Sequence, residues 1–93
     1  MDLGEKARLF AALSDPLRLR IIEELRMRDL ACGKELAQTL EVSGALLSHH
    51  AKILEDAGLI QRKKDGQFSR FFLNRDRLEE LRRVAHLGVD FPD

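Results

Sequence analysis

Between Glu35 and Leu73 two stretches of helical apolar spacing are separated by only three residues, and two short β-prone runs follow them. Few folds accept that order. Leu36, Ala37 and Leu40 share one side of a short helix running from about Gly33 or Lys34 to Leu40. Glu41-Val42-Ser43 then reads as a turn, with Val42 able to pack beneath it and Ser43 able to cap the next helix. That helix, Gly44 to Ala57, turns Leu47, His50 or Ala51, and Leu54 inward. It leaves Ala45, Ser48, His49, Lys52 and Asp56 facing out, and Gly58 supplies a left-handed stop. Leu59 to Lys64 and Gln67 to Leu73 flank Asp65-Gly66, a pair that favours a type I′ hairpin turn because both central positions need positive φ. Phe68, Phe71 and Phe72 are expected to anchor this hairpin to the domain. A helix, a tight turn, a second helix and a basic hairpin follow one another in a winged helix-turn-helix, whose second helix enters the major groove of duplex DNA.

The flanks agree with that reading. Leu3, Ala7, Phe10 and Leu13 recur at helical spacing and predict a short amphipathic first helix. At Asp15-Pro16 the chain restarts, since Asp15 can accept from the free N–H groups of a new helix and Pro16 lacks only a donor that would be unpaired there. Leu17, Ile21, Ile22 and Leu25 form the buried stripe of this second helix, with Arg18, Arg20, Glu23, Glu24 and Arg26 on the other side and an end near Asp29. From Arg75 onward, Leu78, Leu81, Val84 and Ala85 give a terminal helix with one apolar face. The expected fold is mainly α with a small β-hairpin, in the order ααααββα, and residues 1–93 make one domain. A chain this small buries a modest core, so Leu3, Phe10, Leu78, Leu81, Val84 and Ala85 on the first and terminal helices are the natural dimer surface.

The net charge is +0, which is unfavourable for contact with phosphates, but the distribution is polar. Between Gly58 and Arg77, Arg62, Lys63, Lys64, Arg70, Arg75 and Arg77 face only Asp65 and Asp76; six cations less two carboxylates give +4, and the remainder carries −4. A solvated charged hairpin that touches nothing is the plain alternative. There is no apolar run near the roughly 18 residues a membrane helix needs, and the start carries Asp2, Glu5, Lys6 and Arg8, so a cytoplasmic protein without a membrane contact is expected. One cysteine, Cys32, excludes an intrachain disulfide. An enzyme is not expected: there is no phosphate-cradling glycine loop and no HExxH, and the pairs Glu23-Glu24 and Glu79-Glu80 read as solvated helix faces.

Several separated motifs keep order and spacing together: Ala12-Leu13-Ser14-Asp15-Pro16-Leu17-Arg18-Leu19-Arg20-Ile21-Ile22, Glu35-Leu36-Ala37, Val42-Ser43, Leu47-Ser48-His49-His50-Ala51-Lys52-Ile53-Leu54 and Ala57-Gly58-Leu59-Ile60. In this the chain resembles the ArsR/SmtB family of bacterial transcriptional repressors over about Leu9 to Leu81. The resemblance implies a homodimer that sits on an inverted repeat in double-stranded DNA and leaves it when an effector appears. It points to Gly44, Ala45, Leu46, Ser48, His49 and Lys52 as contacts of the reading helix, with Arg62, Lys63, Lys64 and Arg70 of the wing on flanking phosphates. Family members commonly carry polar side chains where this chain has Gly44, Ala45 and Leu46. Alanine and leucine offer only apolar contact, for example to a thymine methyl, so base readout is expected to rest on Ser48 and His49. A merely solvated His49 is the competing reading, and His50 is expected to be a satisfied packing residue. The apolar helix start also keeps open a winged-helix module that contacts a protein instead of DNA.

The metal sites implied by the resemblance can be tested on the residues. A third-helix site needs a Cys-x-Cys pair, and here Cys32 is followed by Lys34, so one thiolate remains and a cation replaces the other. A terminal-helix zinc site needs an Asp-x-His pair where Arg75 and Arg77 stand. His86 and Asp90, four apart, are too few for a tetrahedral site. No metal and no cofactor are therefore expected. Cys32 alone is a candidate redox switch, since it stands beside the cation Lys34 at the start of a helix, but the preferred reading is a small half-buried side chain near a turn. A third reading is that no small effector acts, and that regulation comes from concentration or from a protein partner.

Overall fold

In this computed structural model, residues 1–85 are described, the side chain of Val84 excepted. Four of the five described helices, all but the third, start where a short polar side chain accepts from their free N–H groups. Asp2 accepts from the Glu5 N–H at 2.8 Å and opens α1 (Leu3–Ala12). Asp15 accepts from the N–H groups of Leu17 at 2.9 Å and Arg18 at 3.2 Å, opening α2 (Pro16–Arg26) on Pro16 as expected. Helix α2 stops at Arg26, short of the expected end near Asp29. The chain has to leave the helix there, because Ala31 is buried in a strand that sequence reading missed.

That strand, β1 (Ala31–Cys32), runs straight into α3 (Gly33–Leu40). Gly33 allows the close approach: a Cβ on it would lie 3.0 Å from Cε2 of Phe71. Helix α3 ends on Glu41 in the left-handed region, at φ 57°, with the Val42 N–H donating to the Ala37 carbonyl at 3.0 Å. Ser43 then caps α4 (Gly44–Asp56), its hydroxyl accepting from the Leu46 N–H at 3.0 Å. At the far end the Gly58 N–H donates to Glu55 O and the Leu59 N–H to Leu54 O, the paired bonds of a Schellman stop, and Gly58 takes φ 77° as expected.

Strands β2 (Ile60–Asp65) and β3 (Phe68–Leu73) form the hairpin, and β1 adds to the free edge of β3, giving an antiparallel sheet in the order β1-β3-β2. The element order is therefore ααβααββα, a mainly α fold with a small sheet, which keeps the expected class and adds one strand. Asp65 pairs with Phe68, so the two-residue loop is Gly66-Gln67, one position later than expected. Only Gly66 has positive φ, at 64°, the pattern of a type II′ turn with glycine first. Phe71 and Leu73 turn into the core, while Phe68, three residues before Phe71 and so on the opposite face, is 46% exposed and does not anchor the hairpin. Asn74 then joins the hairpin to α5 (Arg75–Ala85): its side chain donates to Gly58 O at 3.0 Å and accepts from the Arg77 N–H at 3.2 Å.

One contiguous core gathers residues from every helix and the sheet, with Leu9, Ile21, Leu25, Leu36, Leu54, Leu59 and Ile60 fully buried. Helix α1 reaches it through Leu9 and Ala12, whereas Leu3 is 81% exposed and Phe10 40%. The stripe expected from Leu3, Ala7 and Phe10 is therefore outward in the single chain. Leu81, expected on a dimer surface, is buried in the chain's own core. No described helix is long and apolar enough to cross a membrane.

Candidate nucleic-acid interface

Glu41, Val42 and Ser43 separate α3 from α4, and the Leu47–Ala51–Leu54 stripe fastens α4 to the core. The opposite side of α4 is thereby fixed outward. Ala45, Leu46, Ser48, His49 and Lys52 are all exposed, and space around Gly44 is open, with nothing within 4 Å of where a Cβ would stand. All six positions expected on the reading helix thus lie on the free side of α4 or at its open start. Lys52 is partly neutralised on its own helix: Nζ lies 2.9 Å from Asp56 Oδ1, and that hydrogen bond raises the Lys52 pKa above its ordinary value.

His50 behaves as the packing residue it was expected to be. Its Nδ1 lies 3.0 Å from Nη1 of Arg18. A guanidinium can only donate, so Nδ1 is the acceptor and the ring proton belongs on Nε2. Arg18 was expected to face solvent. Instead its Nε donates to Ala12 O at 2.6 Å, so one side chain ties the end of α1 and the start of α2 to the middle of α4. His50 also braces the reading face, since its ring meets that of His49 edge to face at 5.2 Å between centroids.

The wing sorts its cations by strand register. Lys63 pairs across β3 with Arg70, and Arg70 with Cys32 on β1, so the three side chains form one row on one face of the sheet. Arg62 pairs with Phe71 on the other face, where its guanidinium lies 4.9 Å from the Phe71 ring centroid. Its Nε is 3.2 Å from Glu55 Oε1 but the N–H is not aimed at that oxygen, so the contact is ionic without being a hydrogen bond. Arg62 therefore holds the wing to α4. Arg77, also counted in the basic surplus, reaches Glu5 at 3.3 Å and Glu80 at 3.6 Å, and so fastens α5 to α1. Arg70 Nε lies 3.4 Å from Asp65 Oδ2 at the exposed wing tip. Lys63 and Lys64 are exposed and make no ion pair among the described residues. Two lysines and one arginine remain on the open wing, fewer than the sequence count implied.

Between the wing and the starts of α3 and α4 runs a groove of about 540 Å3, lined among others by Cys32, Lys34, Gly44, Ser48, Gln67 and Phe68. Cys32 is half-buried and stands at the start of α3 without a side-chain capping bond. Among the described residues no three His, Cys, Asp or Glu side chains converge as metal ligands. His86 and Asp90 lie outside the described residues. A second groove, of about 610 Å3, opens between α1, α2 and α5 and shares no lining residue with the first. Phe10, Leu13, Leu19, Ile22, Leu78 and Ala85 line it. Leu19, 45% exposed, was not singled out from the sequence because it sits beside the charged face of α2.

A buttressed helix-turn-helix whose second helix is free on one side, beside a basic β wing, defines a winged helix-turn-helix DNA-binding domain. Comparison with known proteins narrows the class. The family described as bacterial regulatory protein, arsR family, matches residues 15–62. The arsenical resistance operon repressor of Bacillus subtilis is 40% identical over 72 residues, 77% of this chain and 69% of that protein. The solved ArsR-like transcriptional regulator from Rhodococcus sp. RHA1 is 32% identical with a TM-score of 0.74, over 91% of this chain and 80% of that one. In fold alone, the homodimeric winged helix-turn-helix DNA-binding domain of a possible ArsR-family regulator from Mycobacterium bovis is similar too, at 20% identity and a TM-score of 0.78 over 92% and 80% of the two chains. This chain belongs to the arsR family of bacterial transcriptional regulators.

Proposed function

We propose that the protein is a homodimeric repressor that binds an inverted repeat in double-stranded DNA from the cytoplasm, without a catalytic function. The observation that carries this reading is the free face of α4, Ala45, Leu46, Ser48, His49 and Lys52, in a domain whose wing presents exposed Lys63 and Lys64 and half-buried Arg70. Helix α4 enters the major groove, where Ser48 and His49 read base edges by hydrogen bonds, and the wing lysines and Arg70 meet phosphates outside it. Arg62 supports the wing and makes no more than a secondary contact to the backbone.

Dimerisation uses the apolar groove between α1, α2 and α5. Phe10, Leu78, Leu19 and Ala85 supply its apolar surface, and exposed Leu3 extends it along α1. Val84 continues the α5 spacing, and Leu81 supports the groove from beneath. The M. bovis domain is a homodimer of the same fold, and two half-sites on one face of DNA call for that symmetry. Residues 1–93 thus serve as one DNA-binding and dimerising unit.

The test is fluorescence anisotropy of the purified protein on DNA from upstream of its own gene, against a scrambled duplex, in a salt series. Tight binding to the upstream DNA alone is expected. Equal, salt-governed binding to both duplexes would overturn the reading, since phosphate contacts without base contacts give no preference.

A further inference from the structure

A lone exposed leucine on a protein surface needs no explanation. The first turn of α4 is different, because it sits where a reading helix meets base edges and carries no polar side chain at three successive positions, Gly44, Ala45 and Leu46. Leu46 is 42% exposed. It belongs neither to the core nor to the partly buried apolar residues packed against it. Its backbone is pinned, since the Leu46 N–H donates to Ser43 Oγ at 3.0 Å, so the direction in which the side chain leaves the helix is set. Leu46 stands three residues before His49, one helical turn earlier on the same side.

We infer that Leu46, with Ala45 beside it, is a specificity-determining residue that packs against the 5-methyl group of a pyrimidine in the major groove. This deepens the DNA-binding reading above and rests on it. The occupant follows from chemistry and charge. Lys63 and Lys64 on the wing, exposed and without ion pairs among the described residues, complement a polyanion. In the major groove of such a polyanion the pyrimidine methyl is the base-edge group that an aliphatic side chain can contact favourably. Any base edge presented only as donors and acceptors would lose its water to Leu46 and gain no hydrogen bond, which disfavours it. Gly44 leaves open space at the helix start, so the backbone can come close enough for Leu46 to reach the methyl. Polar readout comes from His49, one turn later, and from Ser48 on the other flank of the exposed face, and each half-site is read as a methyl contact together with hydrogen bonds.

Thymine and 5-methylcytosine both carry this methyl, and the experiment separates them. The full chain is used to select its preferred duplex from a random pool, and each thymine of that duplex is then replaced singly by deoxyuridine, which removes the methyl and leaves every hydrogen-bonding group. At one thymine per half-site the wild-type protein is expected to lose about fourfold in affinity, the scale of one buried methyl. Leu46→Ala is expected to weaken binding to the thymine duplex and to lose most of the deoxyuridine penalty. Placing cytosine and then 5-methylcytosine at the same position tests the methyl alone, and a gain on methylation is expected only with Leu46 present. A preferred duplex whose affinity is indifferent to every thymine-to-deoxyuridine change overturns this inference and leaves the DNA-binding reading standing. An undiminished penalty in Leu46→Ala overturns it as well. A pool that yields no preferred duplex overturns the DNA-binding reading itself, and this inference with it.

Discussion

The partners of the wing's four cations predict that they are unequal on DNA. Arg62 points to the core face, held between Glu55 and the Phe71 ring, while Lys63 and Lys64 are exposed without an ion pair among the described residues. Each phosphate contact removed lowers the slope of log affinity against log salt by about 0.9, and a two-fold complex loses each contact twice. Lys63→Gln and Lys64→Gln are therefore each expected to reduce the slope by about 1.8 in the dimer. Arg62→Gln should leave the slope nearly unchanged. Its cost falls on the fold instead, because Glu55 loses its ionic partner and Phe71 its guanidinium, together about 1–2 kcal/mol. The assay is fluorescence anisotropy across a salt series, paired with urea unfolding of each variant so that affinity is compared at equal folded fraction. If Arg62→Gln lowered the slope as much as Lys64→Gln while leaving stability unchanged, the division of the wing into a supporting arginine and phosphate-facing lysines would be wrong. Lys63 adds a check without DNA. It stands opposite Arg70 across the hairpin, and relieving that like-charge pair should make Lys63→Gln no less stable than wild type.

Phe10→Asp combined with Leu19→Asp is expected to halve the mass measured by light scattering while the far-ultraviolet circular dichroism stays native, because both side chains are largely outside the core. Leu81→Ala should instead unfold the chain more easily by about 2–5 kcal/mol, the cost of truncating a buried leucine; a native unfolding midpoint would contradict its burial. Glu41→Gly should stabilise the protein by about 1 kcal/mol, since glycine carries no penalty in the left-handed conformation that ends α3, and an unchanged or lowered Tm would argue against that conformation. The Asp15 carboxylate is held below its ordinary pKa, chiefly by accepting from the backbone N–H of Arg18, then from that of Leu17. Its stabilising effect is thus fully present above the ordinary aspartate range and lost as the pH falls through the lower, folded-state value. Asp15→Asn should narrow its stability deficit against wild type as acid is added, as followed by urea unfolding at several pH values.

What the sequence determined by itself is what short-range physics controls. The helix starts at Asp15-Pro16 and Ser43, the stop at Gly58 and the three-residue turn between the motif helices depend on groups only a few residues apart, and all stand where the sequence puts them. The periodic stripes Ile21, Ile22, Leu25 and Leu47, Ala51, Leu54 are buried for the same reason, since one helix carries the whole signal. From these the winged helix-turn-helix and the outward face of α4 were legible. The tertiary structure decided everything that depends on a distant partner. Strand β1 is two residues long and exists through its pairing with β3, forty residues away, so no local pattern announces it. The hairpin loop moved by one position, a shift set by how the paired strands pack with Phe71 and Leu73 in the core. Composition counts charges without their partners. Only the folded chain brings Arg62 to Glu55, Arg77 to Glu5 and Arg18 to His50, and so separates the cations that hold the domain together from those left free to meet DNA.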